Sequence, residues 1–170
     1  MVKMYNGDIL NAKTDFIMHQ VNCRGVMNSG VAKSLRNFNE GIFTHYRSKY
    51  EYCEKHNIPL LGNNDYYWVE NHGKSQCIVS MFAQSDWGYD GKQYTNYESF
   101  QTCLRQFKAD YPLWVEDIDN NHNKIFRKVS VALPYNIGCC RGGGNWPDIY
   151  TIIERELVDY DVELWRLDAG

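Results

Sequence analysis

The stretch Leu133-Pro134-Tyr135-Asn136-Ile137-Gly138-Cys139-Cys140-Arg141-Gly142-Gly143-Gly144-Asn145-Trp146-Pro147 constrains this chain more than any other. Before it, Val129 to Leu133 has the apolar, β-rich character of a buried strand; after it, Ile149, Ile152, Ile153 and Leu157 recur at helical spacing. The glycines therefore fall in a strand-to-helix connection. Consecutive glycines admit positive φ and let several N–H groups approach one ligand, and a following helix start adds unpaired donors and the positive dipole end. An anion, phosphate above all, is the natural guest. Pro147 suits the first helical position, with Asn145 or Trp146 as the cap. The stretch lacks the Gly-Lys-Ser/Thr ending of a Walker A loop and is not a clean dinucleotide fingerprint, so a ligand-free surface loop is the competing reading.

A second loop of the same kind lies earlier. Asp15 to Val21 is a mostly apolar run suited to a central strand, and it leads into the polar, glycine-bearing segment Asn22 to Gly30. Val31, Ala32, Leu35 and Phe38 then recur with a helical period, which puts Gly30 at or near a helix N-terminus. Ligands of open α/β sheets collect beyond the carboxyl ends of strands, so the two loops are expected to face one crevice. His19 and Asn22 sit at that strand end. A strand histidine is commonly a hydrogen-bonded core residue, yet beside an anion site it is also the natural acid or base near neutral pH. Asp8, in the turn Asn6-Gly7-Asp8, reads as a cap or an Asx turn.

Elsewhere, Glu40 to His56 reads as an amphipathic helix, and Tyr66–Glu70 and Gln76–Phe82 as strands joined by a hairpin turn at Asn71–Lys74. Ala83 to Tyr94 reads as a mobile loop overhanging the crevice, Thr95-x-x-Glu98 as a capping box, and Tyr97 to Phe107 as a helix that stops before Pro112. Glu116 to Lys124 reads as a charged, Asn-rich surface excursion, and Val162 to Leu167 as a final strand. Strands and helices interleave throughout, so the expectation is one domain over residues 1–170, a three-layer α/β/α sandwich with a mixed, largely parallel central sheet.

The net charge of −3 offers no global field for long nucleic acid, so an anionic ligand must be held by local donors. Six cysteines without a Cys-x-x-Cys pair, and five histidines without zinc-like spacing, predict no metal site. No apolar stretch is long enough to span a membrane, and reduced thiols in the cytoplasm are the expectation. Small apolar packing is the expected role of Cys139-Cys140.

Asn6-Gly7-Asp8-Ile9, His19-Gln20-Val21-Asn22-Cys23 with Gly30-Val31-Ala32, and Ile137-Gly138 with Gly142-Gly143-Gly144-Asn145-Trp146 occur in this order along nearly the whole chain. Together they resemble the macrodomain, the ADP-ribose-binding module. Within that family the chain looks most similar to the branch with the yeast-type ADP-ribose 1″-phosphate phosphatase and the terminal ADP-ribose glycohydrolases. The resemblance implies ADP-ribose or a derivative as ligand, with no further cofactor. Asp8 would accept from the adenine amino group and Ile9 give a backbone contact. Asn22 with Gly30, Val31 and Ala32 would bracket the distal ribose and its phosphate, and the loop from Ile137 through Gly138, Cys139, Arg141, Gly142, Gly143 and Gly144 to Asn145 would wrap the diphosphate. Trp165 falls where relatives often place an aromatic near adenine. His19, with Asn22, would carry catalysis, most directly removal of phosphate from ADP-ribose 1″-phosphate. Glycohydrolysis of ADP-ribose from protein or nucleic acid, and non-catalytic reading of ADP-ribose, are the alternatives. The lysine-dependent glycohydrolases place a Lys and an acid where this chain has Tyr94 and Gly142, and Lys92 lies two residues out of register.

Overall fold

A computed structural model describes residues 2–28, 30–88 and 90–167. Ser29 of the first loop and Tyr89 of the overhanging loop lie outside the described residues. Six strands form the main sheet in the order β1-β8-β7-β2-β4-β3: β1 Val2–Asn6, β8 Asp161–Arg166, β7 Ser130–Pro134, β2 Phe16–Asn22, β4 Lys74–Gln84 and β3 Asn64–Asn71. Every neighbouring pair is parallel except β3 with β4, which the Asn71–Lys74 turn joins as an antiparallel hairpin. The expected mixed, largely parallel sheet is what forms.

Strand alternation builds the layers. On β2, Phe16 and Met18 face one core and Ile17 and Val21 the other; on β4, Cys77, Val79 and Met81 oppose Ile78 and Phe82 in the same way. The first core is closed by α3, Tyr97–Asp110, and α4, Trp146–Glu156, through Phe100, Leu104, Phe107, Ile149 and Ile153. The second is closed by α1, Gly30–Phe38, and α2, Glu40–Lys55, through Leu35, Ile42 and Tyr46. Buried Glu156 ties α4 to α3 through Lys108, Arg105 and Gln101. Among the described residues, no helix is long and apolar enough to cross a membrane.

Three local expectations need correction. Glu116 to Lys124 is not a structureless excursion: β5, Trp114–Ile118, and β6, Lys124–Lys128, form a separate antiparallel hairpin. The cap of α3 is Asn96, whose side chain accepts from the Ser99 N–H, and not Thr95. Asn145 caps α4, so Pro147 occupies the second helical position after Trp146; its missing N–H costs nothing there either, because first-turn donors have no intrahelical acceptor.

Candidate functional site

The carboxyl ends of the parallel strands open into a cavity of about 360 Å³. One wall is the end of β2 and the segment after it, with Asn22, Met27, Gly30, Val31 and Ala32; the other is the end of β7 and the segment after it, from Pro134 to Gly138 with Cys140, Arg141 and Gly142. The two glycine-bearing loops do face one crevice. His19, Gln20, Val21, Val26, Asn28, Gln84 and Trp87 complete the lining.

The later loop bends through left-handed residues at Asn136, Gly138 and Gly143, and its inner bonds fix its shape. Cys139 donates to the Asn136 carbonyl and Gly144 to the Gly138 carbonyl, at 3.0 and 2.9 Å. Gly143 donates to Cys140. The N–H groups of Gly138, Cys140 and Gly142 have no acceptor among the described residues, and all three residues line the cavity. The donors for a ligand thus alternate along the loop and do not come from the glycine triplet as a block. The triplet instead permits close approach. A Cβ on Gly142 would collide with Thr95 Oγ1 and the Gly138 carbonyl, one on Gly143 with the Lys92 carbonyl, and one on Gly144 would lie 2.8 Å from Ile149.

The segment between β4 and α3 lies over this loop. Gly88 donates to the Arg141 carbonyl, Tyr94 and Thr95 both donate to the Gly142 carbonyl, and the Arg141 guanidinium covers the Trp87 ring at 5.1 Å. Arg24 pairs with Asp86 at 3.1 Å, joining the first loop to the same segment. The overhanging segment is therefore tied to both walls, which the polar sequence of Ala83 to Tyr94 gave no means of foreseeing.

Asn22 accepts from the Arg24 N–H and the Tyr46 hydroxyl and donates to the Val26 carbonyl, so it shapes the first loop while lining the cavity. His19 is 1% exposed, and its Nε2 lies 2.7 Å from Ser80 Oγ. Burial depresses its pKa to about 3, so the ring is neutral at physiological pH. An imidazolium acid is not at hand here. Lys92 is 75% exposed beside Asp90 and is absent from the cavity wall.

Of the other residues singled out in the sequence, Cys140 lines the cavity, while Asp8, Ile9, Trp165, Cys139, Gly143, Gly144 and Asn145 sit apart from its wall. Asp8 is exposed and caps a short 3-10 turn at Ile9–Asn11 through the Leu10 N–H, and Ile9 is buried beneath it. Trp165 stacks on Tyr5 with centroids 5.0 Å apart and donates to Glu163. Cys139 packs on the α3–α4 core while Cys140 is exposed at the cavity, so the two thiols divide between packing and lining. Cys139, Gly143, Gly144 and Asn145 stand behind the loop's inner face or at its end. Gln20, Gln84 and Trp87 were not anticipated. An indole in a polar, glycine-bearing segment was a signal for Trp87; the two glutamines gave none. Among the described residues no three His, Cys, Asp or Glu side chains meet where they could hold a metal ion.

Neither a family model nor a curated protein matches the sequence. Solved structures do match. A protein of unknown function from Bacteroides thetaiotaomicron superposes with a TM-score of 0.73 at 22% identity, covering 98% of each chain. The macrodomain of Thermus aquaticus DarG gives 0.68 at 22% identity, over 99% of this chain and 98% of that one. Thermosipho africanus DarTG in complex with ADP-ribose gives 0.69 at 16% identity, over 97% of this chain and 41% of the larger one. At these identities the likeness speaks for architecture, and the architecture of this chain is the macrodomain fold.

Proposed function

We propose that this protein binds ADP-ribose in the cavity between the two loops, with the diphosphate and distal ribose held there. The observation that carries the reading is the row of open amide donors on Gly138, Cys140 and Gly142, facing Gly30, Val31 and Ala32 in the first turn of α1 across the cavity. Two sets of backbone donors suit two phosphoryl groups, and neither needs a positively charged protein. The volume lies within the roughly 300–1,000 Å³ of small-molecule sites. The ADP-ribose complex of Thermosipho africanus DarTG supports the same ligand for this fold. Asp8 keeps one carboxylate oxygen beyond its bond to Leu10, which suits it to accept from adenine, and Ile9 and the Tyr5–Trp165 stack are assigned to the same end.

Removal of phosphate from ADP-ribose 1″-phosphate is the chemistry we assign. Fixed amide dipoles of the first turn of α1, on the distal-ribose side, stabilise charge on the 1″-phosphoryl group as water bonds to phosphorus and the ribose oxygen leaves with a proton from that water, while the later loop keeps the diphosphate. His19, neutral and held by Ser80, then orients the site and does not shuttle a proton as an imidazolium. Ester cleavage through Lys92 has less support, because that ammonium lies outside the cavity wall.

Calorimetry with ADP-ribose and phosphate release from ADP-ribose 1″-phosphate test the two parts separately. Saturable binding with phosphate release supports both. Binding without release leaves a reader of ADP-ribose, and absence of binding overturns the assignment.

A further inference from the structure

We infer that Thr95, which does not line the cavity, is a positioning residue that sets the amide row from behind. Its hydroxyl donates to the Gly138 carbonyl at 2.7 Å, and its N–H donates to the Gly142 carbonyl at 2.8 Å. One buried residue thus grips both ends of the five-residue segment that carries the three open amides. The same hydroxyl accepts from Gln20 Nε2 at 2.9 Å, and Gln20 also donates to Gln84. The grip is therefore referred to β2 and β4 of the main sheet.

Thr95 is free for this work because Asn96 caps α3. A single antiparallel bridge to Gln84, and the Asn96 N–H on the Ala83 carbonyl, lay Thr95 along the end of β4. The clearance explains the glycine opposite. A Cβ at Gly142 would occupy the space of Thr95 Oγ1, so hydroxyl and glycine are two halves of one fitted contact. Without the hydroxyl, the Gly138 carbonyl keeps only the Gly144 N–H, and the peptide planes between Gly138 and Gly142 lose their common reference. A donor row that must be ordered by the ligand binds it more weakly than one already set.

The inference rests on the ADP-ribose reading for its ligand arm alone. Thr95→Val keeps the shape and removes the hydroxyl; Thr95→Ser keeps the hydroxyl. The Thr95→Val variant is expected to weaken ADP-ribose binding by roughly five- to tenfold, the effect of one hydrogen bond, while Thr95→Ser stays within about twofold. Amide hydrogen exchange of the ligand-free protein gives the second reading: in Thr95→Val the Gly144 and Tyr94 amides exchange faster, strand amides such as Ile17 and Val79 hold their rates, and Thr95→Ser restores the loop. If Thr95→Val does not fold, Thr95→Ala, which cannot overfill the site, carries the same two readings. Unchanged loop exchange in the variant lacking the hydroxyl overturns the inference, as does equal weakening by valine and serine. If the parent protein fails to bind ADP-ribose, the functional reading falls while the exchange arm still decides the role of Thr95.

Discussion

The two ends of the central sheet solve opposite problems. At the amino end of β2, Asp15 takes two 2.7 Å bonds from Arg127 and further ones from the Ser130 N–H and hydroxyl, while Arg127 also reaches Asp117. Burial pushes the Asp15 carboxyl up, but Arg127 and Ser130 outweigh it and hold the pKa below the usual carboxylate value. Side chains satisfy one another at that end and anchor the β5–β6 hairpin. At the carboxyl end three cavity-lining residues, Gly138, Cys140 and Gly142, keep amides with no acceptor among the described residues. Charged side chains that satisfy one another make a fastening; backbone donors that the protein leaves open make a receptor.

The contrast breaks if changes at the two ends have the same consequences. Asp15→Ala strips Arg127 and Ser130 of their common acceptor and is expected to cost roughly 2–3 kcal/mol of stability, read by urea unfolding, with ADP-ribose affinity of the folded protein nearly unchanged. Gly142→Ala should do the reverse. Overpacking against Thr95 and the Gly138 carbonyl, at about 1–3 kcal/mol, is taken up by displacement of the loop, so calorimetry should show binding weakened about tenfold or more with a smaller loss in unfolding free energy. A stability loss at Gly142 as large as at Asp15 would erase the distinction.

Acid sharpens it further. The unfolded chain protonates His19 near 6.5 and the folded chain only near 3, so between those values the unfolded state holds the extra proton and stability falls as pH falls. The limiting slope is about 1.4 kcal/mol per pH unit. Glu156, raised by burial but lowered further by Lys108, Gln101 and Arg105 to about 2, adds its own loss only below about 4.5. His19→Asn should therefore flatten the stability profile between pH 6.5 and 4.5 and leave the steeper acid limb; an unflattened profile contradicts the neutral, buried ring. Smallest of all, Lys92→Ala should leave ADP-ribose binding and phosphate release within about twofold, since a solvent-exposed pair with Asp90 contributes little.

Much of this was legible in the sequence because it is written in period and punctuation. Apolar runs marked β2, β4 and β7, alternation marked β8, helical spacing marked α2, α3 and α4, and glycines marked both loops. The β5–β6 hairpin was hidden because Trp114, Glu116 and Ile118 alternate with only half-buried residues and Lys124 to Phe126 are all exposed, so no buried face imposes a pattern. Thr95 was misplaced because the local signal of Thr95 and Glu98 resembles a capping box, while its partners, Gln20 and Gly138, lie far away in sequence. The glycine triplet drew attention to the right loop for an incomplete reason: two of its three amides are spent within the protein, and the open donors alternate through Gly138, Cys140 and Gly142. Hydrogen-bond partners across a fold leave no periodic trace.

The most direct test of the central claim is an amide chemical-shift titration of the protein with ADP-ribose. The account predicts that the largest saturable shifts fall on the N–H groups of Gly138, Cys140 and Gly142 and on the first turn of α1, with the Asp15–Arg127 end undisturbed. Shifts confined to other surfaces, or none at saturating ligand, would contradict it.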